Sequence, residues 1–185
     1  MKITMVNGAN SDTCWAPFTG MVEEICDALR GESHKVDLFT VKNMKMNDCC
    51  GCFDCWTKTP GICRYDDEGA DFVKSMAHSD KLILFSPVVA GFISRETKKA
   101  LDRFIPNVLP YITMKKGECL HIPRYGSEPY ISLYLFDDGV IDPRAKELID
   151  VNIRRIQRNM DQSGRKAGLL GSYNRQEVSN EIGRS

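Results

Sequence analysis

An excess charge of either sign is missing from this chain of 185 residues: 25 Lys plus Arg stand against 25 Asp plus Glu. A neutral chain has no electrostatic basis for holding nucleic acid or an acidic membrane surface, so neither is expected as a partner. Long hydrophobic runs are missing too, and none approaches the roughly 20 residues of a bilayer span. The N-terminus, Met1 to Gly8, runs straight into a short strand pattern without an apolar leader. No secretory signal is therefore expected, and the cytoplasm is the expected compartment. There are no internal repeats or low-complexity tracts. His34, His78 and His121 are scattered and read as solvated or packed. No catalytic acid, base or nucleophile stands out.

Cysteine, by contrast, is plentiful. Of the eight, five lie between Asp48 and Cys63. In a reducing compartment such clustering reads as metal or redox ligands rather than disulfides. Taken from Cys49, the spacing is C-x2-C-x2-C-x7-C through Cys52, Cys55 and Cys63, with Cys50 spare. Two-residue gaps let neighbouring sulfurs face one side of a tight loop, and Gly51 and Thr59-Pro60-Gly61 supply the bends. Four thiolates so placed hold an iron–sulfur cluster, for which compact C-x2-C-x2-C runs are usual. They also hold zinc, which more often uses two knuckles across a long spacer. A redox-active or purely structural thiol loop is the third reading. Phe53 and Trp56 read as loop packing, and Asp66 and Asp67 as caps of a helix starting near Glu68. Cys26 and Cys119 read as core, while Cys14 is ambiguous.

Along the chain, Lys2–Val6 is a short apolar strand ending at Asn7-Gly8, and Pro17 opens a helix with Met21, Val22, Ile25, Cys26 and Leu29 on one face. Lys35–Val41 is a second strand. A short helix from Glu68 to Ala77 follows the cysteine loop. Lys81–Ser86 is a continuous apolar run, as in a parallel strand buried on both faces. Ser94 caps a further helix with Thr97, Ala100, Leu101, Phe104 and Ile105 facing inward. This alternation predicts an α/β fold with a parallel sheet, and right-handed crossovers put loops 7–16, 42–67 and 87–93 at its carboxyl edge, where open sheets bind ligands. Tyr130–Phe136 is the fourth sheet strand, and 107–129 an excursion of undefined form in which Glu118–Ile122 reads as a candidate strand. Asp142-Pro143 opens a long helix striped by Leu148, Ile149, Ile153, Ile156 and Met160, its Arg154, Arg155 and Arg158 reading as a solvated face. Ala167–Leu170 is a last short strand. Residues 1–172 form one domain, and 173–185 a polar tail that is mobile or an arm to a partner.

Three features together resemble the NAD(P)H-dependent FMN reductases, and within them the iron–sulfur flavoproteins. They are the strand ending in Asn7-Gly8, the cysteine stretch running into Asp66-Asp67, and Ser86-Pro87-Val88 at the end of the third strand. The resemblance covers residues 1–110 well and the rest loosely. It implies a flavodoxin-like three-layer sandwich with a five-stranded parallel sheet in the order 2-1-3-4-5. It implies FMN, its phosphate wrapped by the loop Ala9, Asn10, Ser11, Asp12 and Thr13, and its ring beside Pro87, Val88, Val89, Ala90 and Gly91. The family's usual Gly-Ser-Pro-Arg is absent from the first loop, and Val89 stands where a Tyr is common. A [4Fe–4S] cluster is implied on Cys49, Cys52, Cys55 and Cys63, with zinc as the alternative. The implied activity is oxidoreduction between NAD(P)H, or a reduced ferredoxin-like carrier, and an acceptor, in a homodimer or homotetramer. A non-catalytic redox carrier or sensor, and a scaffold with a zinc or thiol loop and no FMN, stay open beside it.

Overall fold

The computed structural model describes residues 1–10, 15–115, 117–126, 129–136, 142–159, 168–169, 178, 180 and 182. The central strands are β1 (Lys2–Asn7), β2 (Lys35–Thr40), β3 (Lys81–Val89), β7 (Tyr130–Phe136) and β8 (Gly168–Leu169). They pair in parallel in the order β2-β1-β3-β7-β8, the expected doubly wound arrangement. The register sets Met5 between Leu38 and Ile83, and Leu84 beside Leu133. Strand alternation then divides the core in two. Val6, Leu82, Leu84 and Leu133 face helices α3 (Gly69–Ala77) and α4 (Arg95–Asp102) through Phe72, Met76 and Ala100, with Phe104 just beyond α4 in the same cluster. Ile3, Met5, Ile83 and Phe85 face α1 (Ala16–Gly31) through Phe18, Val22, Ile25 and Leu29. Each such fully buried side chain contributes about 1.5–3 kcal/mol of transfer free energy.

The excursion is a β-hairpin, β5 (Val108–Lys115) with β6 (Glu118–Pro123), paired antiparallel and separate from the main sheet. From Tyr111 to Lys115 β5 is exposed throughout. Cys119 is exposed on β6 rather than core, because this hairpin presents no second buried face there. In α5 (Pro143–Asn159) Ile149 is buried while Leu148 is exposed, and the side chains of Ile153, Ile156 and Met160 lie outside the described residues. Within the expected tail, Val178 and Ile182 are among the described residues. Both are buried in the α1-side core, and the Nζ of buried Lys81 donates to the Ile182 carbonyl. Among the described residues no helix is long and apolar enough to cross a membrane.

Candidate cofactor edge and cysteine centre

At the carboxyl edge the ends of β1 and β3 are locked to the start of α4. Gly8 N donates to Phe85 O at 2.9 Å. The Ser94 hydroxyl donates to Gly8 O at 2.6 Å and accepts from Thr97 N at 3.1 Å, capping α4 as its spacing predicts. Ser94 N donates to Ser86 Oγ at 2.9 Å. The fit leaves no room for a side chain at Gly8, where a Cβ would lie 1.8 Å from Thr97 Oγ1 and 2.8 Å from Phe85 O. Ala9 is buried and its N–H donates to Asn7 Oδ1 at 3.0 Å. The N–H groups of Gly8 and Ala9 are thus both used within the protein. Asn10 is exposed; Ser11, Thr13 and Cys14 lie outside the described residues. Among the described residues no side chain caps α1, whose N-terminal end at Trp15 and Ala16 carries the positive end of the helix dipole.

The second predicted loop is a tight hairpin. Pro87 is buried beside Phe136, and Val88 and Val89 pair with Ile93 and Phe92 of β4 (Phe92–Ile93). Ala90 and Gly91, at φ 50° and 77°, form the two-residue turn. Positive φ at both central positions is the twist that two-residue hairpins favour. Val89, Ala90 and Gly91 are exposed at its tip.

Cys49, Cys52, Cys55 and Cys63, with spare Cys50, line one small cavity of ≈ 20 Å³ closed by Tyr65, Arg103 and Pro106. A four-residue helix, α2 (Asp54–Thr57), carries Cys55 inward, where it is buried; Cys52 is exposed, and Cys49 and Cys63 are half-buried. Burial pushes the Cys55 thiol up to about 11, and the nearby Cys63, Cys49 and Cys52 add to it. The thiols therefore repel one another as anions, and a cationic core would let them deprotonate together. Among the described residues, no three His, Cys, Asp or Glu side chains converge enough to hold a single metal ion. As a donor set, four thiols lining one cavity are of the kind that holds either an iron–sulfur cluster or zinc. The rim at Gly51, Cys52 and Phe53 is exposed, and Phe53 is strained at φ 56°. Cys50 is exposed; a hydrogen bond with the Tyr65 hydroxyl and then the Cys52 backbone lower its thiol below the ordinary value.

The loop's base is rigid. Glu68 holds the N-cap position of α3 without a side-chain bond, while Asp67 before it accepts from Gly69 N at 3.0 Å and from Asn47 N at 2.8 Å. Arg103, whose side chain is wholly buried, donates through Nη1 to Asp67 Oδ2 at 2.9 Å and Asn47 O at 2.9 Å, and through Nη2 to Asp67 Oδ1 at 2.8 Å. Burial alone would raise the Asp67 carboxyl, but Arg103 and Asn47 outweigh it and hold it well below the usual carboxylate range. Asp66 is exposed and has no such role. Asp48, at the loop's entry, is paired with Arg95 at 2.8 Å, which ties it to the start of α4. The Trp56 indole donates to Ile105 O at 3.1 Å and Val108 O at 3.0 Å and stacks on Phe53, the packing role expected of both. Trp56 and Phe92 line a common cavity of ≈ 520 Å³ between α4, α5 and β6, so the cysteine loop and the β3 hairpin adjoin. Arg103 is the residue that sequence reasoning missed; its only signal was an arginine directly before the inward-facing Phe104 and Ile105.

The sheet order and the loops gathered at its carboxyl edge define a flavodoxin-like α/β protein. Residues 1–115 match the NADPH-dependent FMN reductase family, and the chain belongs to it. An iron–sulfur flavoprotein of Methanocaldococcus jannaschii is 32% identical over 88 residues, which are 48% of this chain and 45% of that protein. The chain thus aligns with less than half the length of that curated relative. Among solved structures, azoreductase AzrA superposes with TM-score 0.63 at 12% identity, covering 97% of this chain and 92% of its own. An FMN-dependent NADH-azoreductase from Bacillus anthracis in complex with FMN does so with TM-score 0.62 at 8% identity, covering 100% and 99%. At such identities the likeness is one of fold.

Proposed function

We propose that this chain is an FMN-binding oxidoreductase of the iron–sulfur flavoprotein kind. It moves electrons between NAD(P)H, or a reduced ferredoxin-like carrier, and an acceptor. The observation that carries the reading is that Cys49, Cys52, Cys55 and Cys63 line one cavity, on a loop sharing a second cavity with the β3 hairpin. Family membership and the Methanocaldococcus relative support it. The loop from Ala9 to Thr13 and the hairpin Pro87, Val88, Val89, Ala90 and Gly91 would hold FMN, and the four thiolates a [4Fe–4S] cluster. Bound together, the two groups supply two-electron and one-electron chemistry in one site. The chain's part is positioning. The Gly8–Ser94 lock holds the edge, and the Asp67–Arg103 pair holds the base of the thiol loop. The exposed Tyr111, Ile112 and Met114 of β5, with Leu148 of α5, favour association into a homodimer or homotetramer.

The test is the visible spectrum of protein purified without oxygen, with iron, sulfide, zinc and flavin assayed on the same sample. Flavin bands over a broad shoulder, about four irons per chain, and NADH or NADPH oxidation with an added acceptor are expected. Cofactors without turnover would leave a redox carrier. A colourless sample that takes up neither FMN nor iron would overturn the reading, and zinc in it would favour the scaffold. Light scattering reads the oligomeric state.

A further inference from the structure

Three buried side-chain polar atoms lack a hydrogen-bond partner among the described residues: Glu96 Oε2, Asn107 Oδ1 and Arg103 Nε. Of these residues, Arg103 lines the cysteine cavity. A buried N–H without an acceptor is destabilising and calls for an explanation. The Arg103 fork grips Asp67 end-on through Nη1 and Nη2, so Nε is the donor left over. The guanidinium is held firmly. Its Cζ lies 5.8 Å from the Tyr65 ring centroid, and Tyr65 lines the same cavity. On another side Gly69 leaves space for it, since a Cβ there would meet Arg103 Nη2 at 2.7 Å, Cζ at 2.8 Å and Asp67 Oδ1 at 2.8 Å.

We propose that the Arg103 Nε–H is a positioned hydrogen-bond donor to a sulfur of the cluster held by Cys49, Cys52, Cys55 and Cys63, and that it raises the cluster's reduction potential. The inference rests on the reading of those cysteines as cluster ligands. The Arg103 and Asp67 charges largely cancel, so the effect comes from the directed N–H rather than from net charge. Hydrogen bonds to sulfur favour the reduced, more negative core. Burial would lower the guanidinium, but Asp67, then Cys63 and Cys49, keep it charged. Lysine cannot reproduce this, because one ammonium cannot hold Asp67 by two bonds and keep a further donor in a fixed plane.

The test compares wild type, Arg103→Lys and Gly69→Ala, each loaded anaerobically with iron and sulfide and assayed for both. Gly69→Ala leaves every charge in place and keeps a helix-compatible backbone while displacing the guanidinium, so it serves if Arg103→Lys does not fold. The first readout is the midpoint potential by redox titration followed by electron paramagnetic resonance. The second is hyperfine coupling to ¹⁵N in the reduced cluster of ¹⁵Nε-arginine-labelled protein. Expected are wild-type iron content, a more negative midpoint in both variants, and a ¹⁵N coupling that disappears in Arg103→Lys. An unchanged midpoint in either folded, loaded variant overturns the inference and leaves the cluster reading standing. Wild type that takes up no iron and sulfide overturns both.

Discussion

The carboxyl edge and the cysteine loop meet at α4 but are built in opposite ways. At the edge, Gly8, Ser86, Ser94 and Thr97 are joined by short hydrogen bonds that they supply themselves, and the latter three are fully buried. In the loop, Gly51, Cys52 and Phe53 are exposed, two of them at positive φ, and the order comes from below, through Asp67 and Arg103. The first region is finished by the protein alone. The second has a finished base and an exposed rim. Substitutions therefore should not cost in proportion to their distance from the proposed cofactor sites.

The sharpest test of that contrast is the loop's base. Asp67→Ala strips the partner from a wholly buried guanidinium and should cost about 3–5 kcal/mol, read by urea denaturation. The pH dependence has a definite sign. The folded-state value of Asp67 is depressed, so its contribution is complete above its unfolded value of roughly 3.9 and is lost as pH falls toward the folded one. The stability gap between wild type and Asp67→Ala should stay constant from neutral pH to about 5 and narrow below about 4. A gap that widened in acid would contradict the pairing.

At the edge, Gly8→Ala forces a methyl group against Thr97 Oγ1 and the Phe85 carbonyl and should cost about 3 kcal/mol. Ser94→Ala removes a cap and the donor to Gly8 O, for about 1–2 kcal/mol. In the loop, Gly51→Ala meets open space, so only its φ of 67° resists, at about 1 kcal/mol. Denaturation of all three in one buffer ranks them. Equal costs at Gly8 and Gly51 would erase the difference between the regions.

Where pattern is local, the sequence was readable. The strand alternation that separates Ile3 and Met5 from Val6, the Ser94 cap and the cysteine spacing are each decided within a few residues. The misses are non-local or weakly patterned. Arg103 pairs with Asp67 at a separation of 36 residues, and nothing beside either residue announces the other. Of the hairpin, β6 matches the expected strand at Glu118–Ile122, but β5 was missed because it is exposed from Tyr111 to Lys115 and carries Pro110, so it shows no half-buried alternation. Val178 and Ile182 sit four apart among polar residues, too sparse a stripe to mark a docking segment. Ala9 lay in the expected phosphate loop, yet its N–H faces Asn7, a contact that depends on how the chain leaves β1.

The smallest expected effect isolates what the loop's thiols are for. Cys50 is exposed, and the Tyr65 hydroxyl rather than any packing is the main influence on it. Cys50→Ser should therefore change stability by less than about 0.5 kcal/mol. If four thiolates hold the core, it should also leave iron per chain at the wild-type level. Cys55→Ser, at the buried position, should lower that iron sharply under the same loading. Iron that fell equally in both would mean that the ligand set is not Cys49, Cys52, Cys55 and Cys63. The rim would then be organised around Cys50 and Tyr65, and the base set by Asp67 and Arg103 would be supporting a different set of sulfurs.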